Sequence, residues 1–182
     1  MKGIKNIVVS ENIQLAFPDK QHGEDLNTII INERERLLRW LPWVENYLGI
    51  EDSKIFQGIS VKNFEARKSF GFTILFDGKP VGVMGTHNVD YLNQRTTVGY
   101  WISQDYERKG IISACVKSLL RFCFEDLNLN KVEIWSAVNN ERSNSVPKRL
   151  GFKHEGVLRQ VEKNIDGFVD VNVWGLIKNE WK

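Results

Sequence analysis

Apolar residues recur at Ile112, Cys115, Val116, Leu119, Leu120, Cys123, Phe124 and Leu127. That is the three-and-four spacing of a helix with one buried face. The opposite face carries Ser113, Lys117, Ser118, Arg121 and Glu125, which suit solvent. Strand-like runs flank this helix: Tyr100-Trp101-Ile102 before it and Val132-Glu133-Ile134-Trp135 after it. A helix of this kind between two strands must lie on a sheet, which constrains the fold more than any other segment does.

The turn that opens the helix is Glu107-Arg108-Lys109-Gly110-Ile111-Ile112. Gly110 lets the backbone reverse and lets a ligand approach closely. The first N–H groups of a helix lack internal acceptors, and the helix dipole places partial positive charge beside them. A pyrophosphate would satisfy both, with Arg108 and Lys109 adding two cations. Many basic turns before amphipathic helices bind nothing, so the turn permits phosphate binding without requiring it. No G-x-x-x-x-G-K-[ST] and no G-x-G-x-x-G run is present, which argues against a nucleotide triphosphatase and a nicotinamide enzyme.

The rest of the chain reads as strands and helices in alternation. Residues 7–17 read as one strand ended by Pro18-Asp19, and residues 19–40 as helical until Leu41-Pro42. Asp52 or Ser53 caps a helix running to about residue 69. Strands follow over 70–76, 81–89 and 96–102, and Asp77-Gly78 marks a hairpin. A strand over 131–138, a short helix over 143–150 containing Pro147, and a closing hairpin of 152–163 with 168–177 around Asp166-Gly167 complete the order. Hairpins with one crossover helix predict a single α+β domain over residues 1–182. Its central sheet is mixed but mostly antiparallel, with about seven strands flanked by helices.

Composition bounds the partners. The 182 residues carry 25 basic and 23 acidic side chains, net +2, which favours neither nucleic acid nor an anionic membrane. No run approaches the length of a membrane span, and residues 1–6 lack a secretion signal. Cys115 and Cys123 lie about 12 Å apart along their helix, too far for a disulfide. They read as core residues of a reducing, cytoplasmic compartment. His22, His87 and His154 are scattered without metal-ligand spacing, so no metal is expected.

The second half of the chain carries a further set of motifs. Asn140-x-x-Ser143 is followed by Lys148-Arg149-Leu150-Gly151-Phe152 and Glu155-Gly156-Val157-Leu158-Arg159. With the Gly110 turn, these residues resemble the GNAT superfamily of acetyl-coenzyme A-dependent N-acetyltransferases over roughly 70–174. The family's cofactor signature, [Q/R]-x-x-G-x-[G/A], matches here at Gly110. Glu107 replaces its first residue and Ile112 its last. Within the superfamily the chain is similar to the bacterial ribosomal-protein N-terminal acetyltransferases that act on Ser or Ala termini. That closer likeness rests on Gly99-Tyr100-Trp101-Ile102, Gly110-Ile111-Ile112-Ser113 and Gln160-Val161-Glu162.

The resemblance implies a GNAT fold and acyl transfer from acetyl-coenzyme A to an amine. It assigns the cofactor to Arg108, Lys109, Gly110, Ile111, Ile112 and Ser113, with Tyr100, Trp101, Ile102 and Asn140 at the pantetheine arm. It makes Glu162 the candidate general base and Ser143 the candidate donor to the leaving thiolate. Glu162 can equally be a surface carboxylate, and Ser143 a helix cap. His154 is a chemical rival to Glu162 by its pKa. Trp40, Trp43 and Tyr47 fall where the family places acceptor contacts, but core or oligomer packing suits them as well. Glu33 and Glu35 are candidates to attract a cationic amine. The acceptor is expected to be a protein N-terminus. Two alternatives remain open, a small amine acceptor and a non-catalytic acyl-coenzyme A binder, and self-association through the tryptophans is also left open.

Overall fold

The structure is a computed structural model describing residues 6–19 and 21–182. Among the described residues, eight strands form one sheet in the order β1-β2-β3-β4-β5-β6-β8-β7. They are β1 (Asn6–Val8), β2 (Ile13–Ala16), β3 (Gly71–Phe76), β4 (Lys79–Asp90), β5 (Arg95–Ile102), β6 (Lys131–Ala137), β7 (Lys153–Asn164) and β8 (Gly167–Ile177). The helices are α1 (His22–Asn32), α2 (Arg34–Leu38), α3 (Ile50–Glu65), α4 (Ile111–Arg121) and α5 (Glu141–Arg149). Every strand pair is antiparallel except β5–β6, which is parallel and joined by the α4 crossover. The α+β reading holds, with eight strands in place of about seven.

The extra strand comes from residues 7–17, read as one strand from their apolar content. The chain reverses at Ser10–Asn12, where the N–H groups of Val9 and Ser10 both donate to the Ile13 carbonyl. The helical stretch before Leu41 is also broken, at Glu33 (φ −111°, ψ 20°), into α1 and α2. Helix α3 begins at Ile50, earlier than the Asp52 or Ser53 cap would place it. Asp52 instead accepts from the Leu48 N–H at 2.6 Å. Asp77 and Gly78, both at positive φ, form the two-residue turn between β3 and β4 that their sequence predicts.

Helix α4 buries the stripe read from its sequence except at its start, where Ile111 is enclosed and Ile112 only partly so. Cys115, Val116, Leu119 and Cys123 are fully enclosed against Phe72, Ile74, Met84, Val98 and Ile134 of the sheet. Each such aliphatic or aromatic side chain contributes about 1.5–3 kcal/mol on burial, so the helix start is held firmly against the sheet. Past Arg121 the helix widens into one π turn, with Leu127 donating to the Phe122 carbonyl.

The parallel pair is short. β5 and β6 pair from Arg95↔Lys131 to Val98↔Ile134 and no further. Yet β5 continues on β4 to Ile102, and β6 continues on β8 to Ala137. The strands therefore splay, leaving the facing edges of 99–102 and 135–137 without ladder partners. Helices α4 and α5 both start at this open end.

Candidate active site

A cleft of about 480 Å³ occupies the splay. One wall is Gly99, Tyr100, Trp101 and Ile102 of β5, and the other is Trp135, Ser136 and Ala137 of β6. Its floor at one end is the start of α4. Gly110 caps that helix at φ 77°, and the preceding Arg108 is also left-handed at φ 59°. The first bond of the helix runs from the Ala114 N–H to the Gly110 carbonyl. The N–H groups of Ile111, Ile112 and Ser113 thus precede it and face the cleft end. Arg108 lines the cleft, as does Arg149, whose Nη1 donates to Ser113 Oγ at 2.8 Å. Lys109 does not line it; its ammonium stands 4.9 Å from the centre of the Tyr106 ring.

This donor set fits coenzyme A. Helix-start N–H groups and guanidinium groups suit a diphosphate. Unpaired strand edges suit the amides of an extended pantetheine arm, which would complete the ladder that β5 and β6 abandon.

Helix α5 delivers Asn140 and Ser143 to the same cleft. Asn140 is the helix cap, and its Oδ1 accepts from the Ser143 N–H at 3.1 Å. The capping role that was open for Ser143 therefore belongs to Asn140, and the Ser143 hydroxyl lines the cleft. Tyr100 reaches across from β5. Its hydroxyl donates to the Ser143 carbonyl at 3.2 Å and lies 3.5 Å from Ser143 Oγ. Burial pushes the Tyr100 phenol up to about 12, so it stays protonated at neutral pH.

The seat of Ser143 is fixed by a residue whose role has no signal in the sequence, Asn144. Its Oδ1 accepts from Ser136 Oγ at 2.7 Å and from Asn172 Nδ2 and Trp174 Nε1, both at 2.9 Å. Its Nδ2 donates to the carbonyls of Ala137 at 2.9 Å and Asn140 at 2.8 Å. One buried amide thus ties α5 to β6 and β8.

Glu162 reaches the cleft from β7 by a bulge. Leu158 pairs with Val171 and Glu162 with Val169, so four steps on β7 span two on β8. Within the bulge Gln160 sits at φ 51°, and its N–H donates to Asp170 Oδ1 at 2.9 Å. Glu162 lies at the cleft rim, exposed on one side. The desolvated side raises its carboxyl above the usual range. His154 does not enter the cleft: its Nε2 is 2.9 Å from Asn172 Oδ1 and its ring packs on Trp174.

His87 does line the cleft, a position that histidine spacing alone could not reveal. Its ring crosses Gly99 so closely that a β-carbon there would meet Nε2 at 2.4 Å. Desolvation of the ring against the cleft wall lowers its pKa.

The acceptor-side expectations divide. Trp40 lines the cleft with Arg36, Leu37 and Leu41. Trp43 and Tyr47 do not. Trp43 is an exposed residue stacked edge-on to Tyr47. Tyr47 is buried with Ile30, Leu37 and Val44 in a small core, its hydroxyl on Asn27 Oδ1 at 2.9 Å. The resemblance places both in the region of acceptor contacts, but the helical turn at 42–46 faces them away from the cleft. Glu33 is not free to attract an amine. It accepts from Ser103 Oγ at 2.6 Å and from the Gln104 N–H at 3.1 Å, and it pairs with Arg36.

Comparison with known proteins places the chain among acetyltransferases. The family described as Acetyltransferase (GNAT) domain matches residues 19–153. A putative ribosomal N-acetyltransferase of Bacillus subtilis is 33% identical over 181 residues, covering 96% of each chain. The ribosomal-protein-serine acetyltransferase of Escherichia coli is 29% identical, over 95% of this chain and 97% of that one. A microcin C7 self-immunity acetyltransferase, solved with acetyl-coenzyme A and AMP, superposes with a TM-score of 0.91. It is 25% identical over 96% of this chain and 97% of its own.

Proposed function

The chain belongs to the GNAT acetyltransferase family, and from that premise we propose that it acetylates the N-terminal amine of a ribosomal protein beginning with Ser or Ala. In this reading residues 1–182 act as one domain in the cytoplasm. The observation that carries it is the convergence, in one cleft, of the α4 start, Ser143 and Glu162. The relatives that match nearly end to end and carry ribosomal names supply the acceptor class.

Acetyl-coenzyme A supplies an activated acyl group as a thioester. The α4 N–H groups and the cleft arginines hold its diphosphate, and the open edge of β5 holds the pantetheine arm and polarises the thioester carbonyl. Glu162 takes the proton from the attacking amine, and its raised pKa brings it closer to the working pH. Nitrogen bonds to the acyl carbon and the carbon–sulfur bond breaks. Ser143 Oγ passes its proton to the departing sulfur and regains one from solvent water, with the protonated Tyr100 hydroxyl beside it.

A second reading, a small amine acceptor, draws on the likeness to the microcin immunity enzyme. Incubation with isotope-labelled acetyl-coenzyme A, ribosomal extract and a panel of small amines, read by mass spectrometry, separates the two. Label on an intact Ser or Ala terminus is the expected result. Label confined to small amines would refute the ribosomal acceptor. Stabilisation by acetyl-coenzyme A with no transfer at all would leave only a binder.

A further inference from the structure

Glu107 places a carboxylate at the first position of the cofactor turn, where the family signature has Gln or Arg. An uncompensated anion there would repel a diphosphate. The carboxylate is largely buried, with its side chain 16% exposed, and both oxygens are occupied by arginines from outside the turn. Arg36 Nη1 of α2 donates to Oε1 at 2.8 Å, and Arg142 Nη1 of α5 donates to Oε2 at 2.5 Å.

The two arginines differ in their remaining capacity. Arg36 is the more committed of the two: it also bonds Glu33 and the Ile102 carbonyl. It cancels charge and ties α2 to the end of β5. Among the described residues Arg142 makes one ion pair, and its side chain is 62% exposed. The rest of its planar fork has no partner among those residues, and Arg142 lines the cleft, as do Arg108 and Arg149. A guanidinium held on one edge by a carboxylate presents its other donors in a fixed direction, and such forks suit phosphate oxygens.

We propose that Arg142 is a diphosphate-binding residue of this chain, seated by Glu107, so that the side-chain donor absent from position 107 is supplied from the opposite wall of the cleft. Glu107 is then a positioning residue, acting on the cofactor only through Arg142. The proposal rests on the cofactor reading of the cleft but not on the identity of the acceptor.

The test is calorimetric binding of coenzyme A and of 3′-dephospho-coenzyme A, with no acceptor present. Arg142→Gln should weaken both ligands about tenfold, equivalent to about 1.4 kcal/mol, and should flatten the salt dependence of binding. Arg142→Lys should recover only part, because an ammonium lacks the fork. Glu107→Gln should weaken both ligands less, about threefold, and add little in an Arg142→Gln background, where there is no guanidinium left to seat. Circular dichroism should be unchanged in each variant. Wild-type affinity in Arg142→Gln would overturn the proposal, as would a loss seen with coenzyme A but not with its dephospho form, which would assign Arg142 to the 3′-phosphate. Tighter binding in Glu107→Gln would show plain repulsion and overturn the seating role. Failure of the cofactor reading itself would be distinct, since the wild-type protein would then bind neither ligand.

Discussion

Tyr100 donates its phenolic hydrogen to the backbone carbonyl of Ser143, and it does so where Pro147 leaves that carbonyl without a helical donor. In a regular helix the N–H of residue 147 would bond the carbonyl of residue 143. Proline has no N–H. The Tyr100 hydroxyl, 3.2 Å away, takes its place and reaches within 3.5 Å of Ser143 Oγ. A strand and a helix on opposite walls of the cleft are thereby joined at the proposed proton donor.

Tyr100→Phe removes one neutral hydrogen bond, worth about 1 kcal/mol. The expected result is a kcat lowered about fivefold, with coenzyme A affinity unchanged. Adding Pro147→Ala restores an N–H to bond the Ser143 carbonyl and should recover part of the loss. Ser143→Ala should cost more, about a hundredfold in kcat. Steady-state kinetics of the three variants check this ordering, and a Tyr100→Phe loss confined to KM would contradict it.

Glu162→Gln should lower kcat about a hundredfold or more and abolish the acidic limb of the pH–rate profile. Its effect on stability has the opposite sign. The folded-state pKa is raised by desolvation, so the folded protein binds this proton more tightly than the unfolded chain. Stability from this group is fully present below the unfolded value, near 4.3, and is lost as pH rises through the raised folded value. At pH 7 the Gln variant should melt no lower than wild type. A clear drop in Tm there would count against a partly desolvated carboxylate.

Asp170→Ala should reduce turnover without touching Glu162. Gln160 occupies left-handed backbone at φ 51°, a conformation that costs a non-glycine residue about 1 kcal/mol. The Asp170 carboxylate holds it there. Without that bond the bulge should relax and Glu162 should lose its direction, lowering kcat about threefold to tenfold. Gln160→Gly, which adopts positive φ freely, should restore activity in the Asp170→Ala background. Unchanged kinetics in the single variant would show the bulge to be self-supporting.

Asn144→Ala should destabilise the fold by about 3 kcal/mol, because it strands buried donors on Ser136 and Trp174. Asn144→Asp should also destabilise, since a carboxylate accepts but cannot donate to the Ala137 and Asn140 carbonyls. Urea unfolding measures both, and a neutral Asp variant would show that those two donations are dispensable.

Much of this molecule was legible locally. The α4 stripe, the Asp77-Gly78 hairpin and the Asn140–Ser143 interval all depend on residues a few positions apart, and the structure places each where its pattern indicates. The first hairpin was not legible, because Ser10-Glu11-Asn12 interrupts an apolar run without the Asn-Gly or Asp-Gly step that marks a tight turn. Trp40, Trp43 and Tyr47 share the region that the family resemblance assigns to the acceptor, but a resemblance of region does not fix which way each ring points, and the turn at 42–46 sends only Trp40 to the cleft.

The amino-acid order by itself determined the element types, the crossover that makes β5 and β6 parallel, and the position of a helix start able to receive an anion. Those properties follow from backbone periodicity and from the donors every helix start exposes. Only the tertiary structure decided which charges face that anion and how Glu162 and Ser143 enter one cleft. Arg36 meets Glu107 across 71 positions, and Arg142 meets it across 35. No local pattern records contacts of that range, because they arise from the packing of separate elements on the sheet.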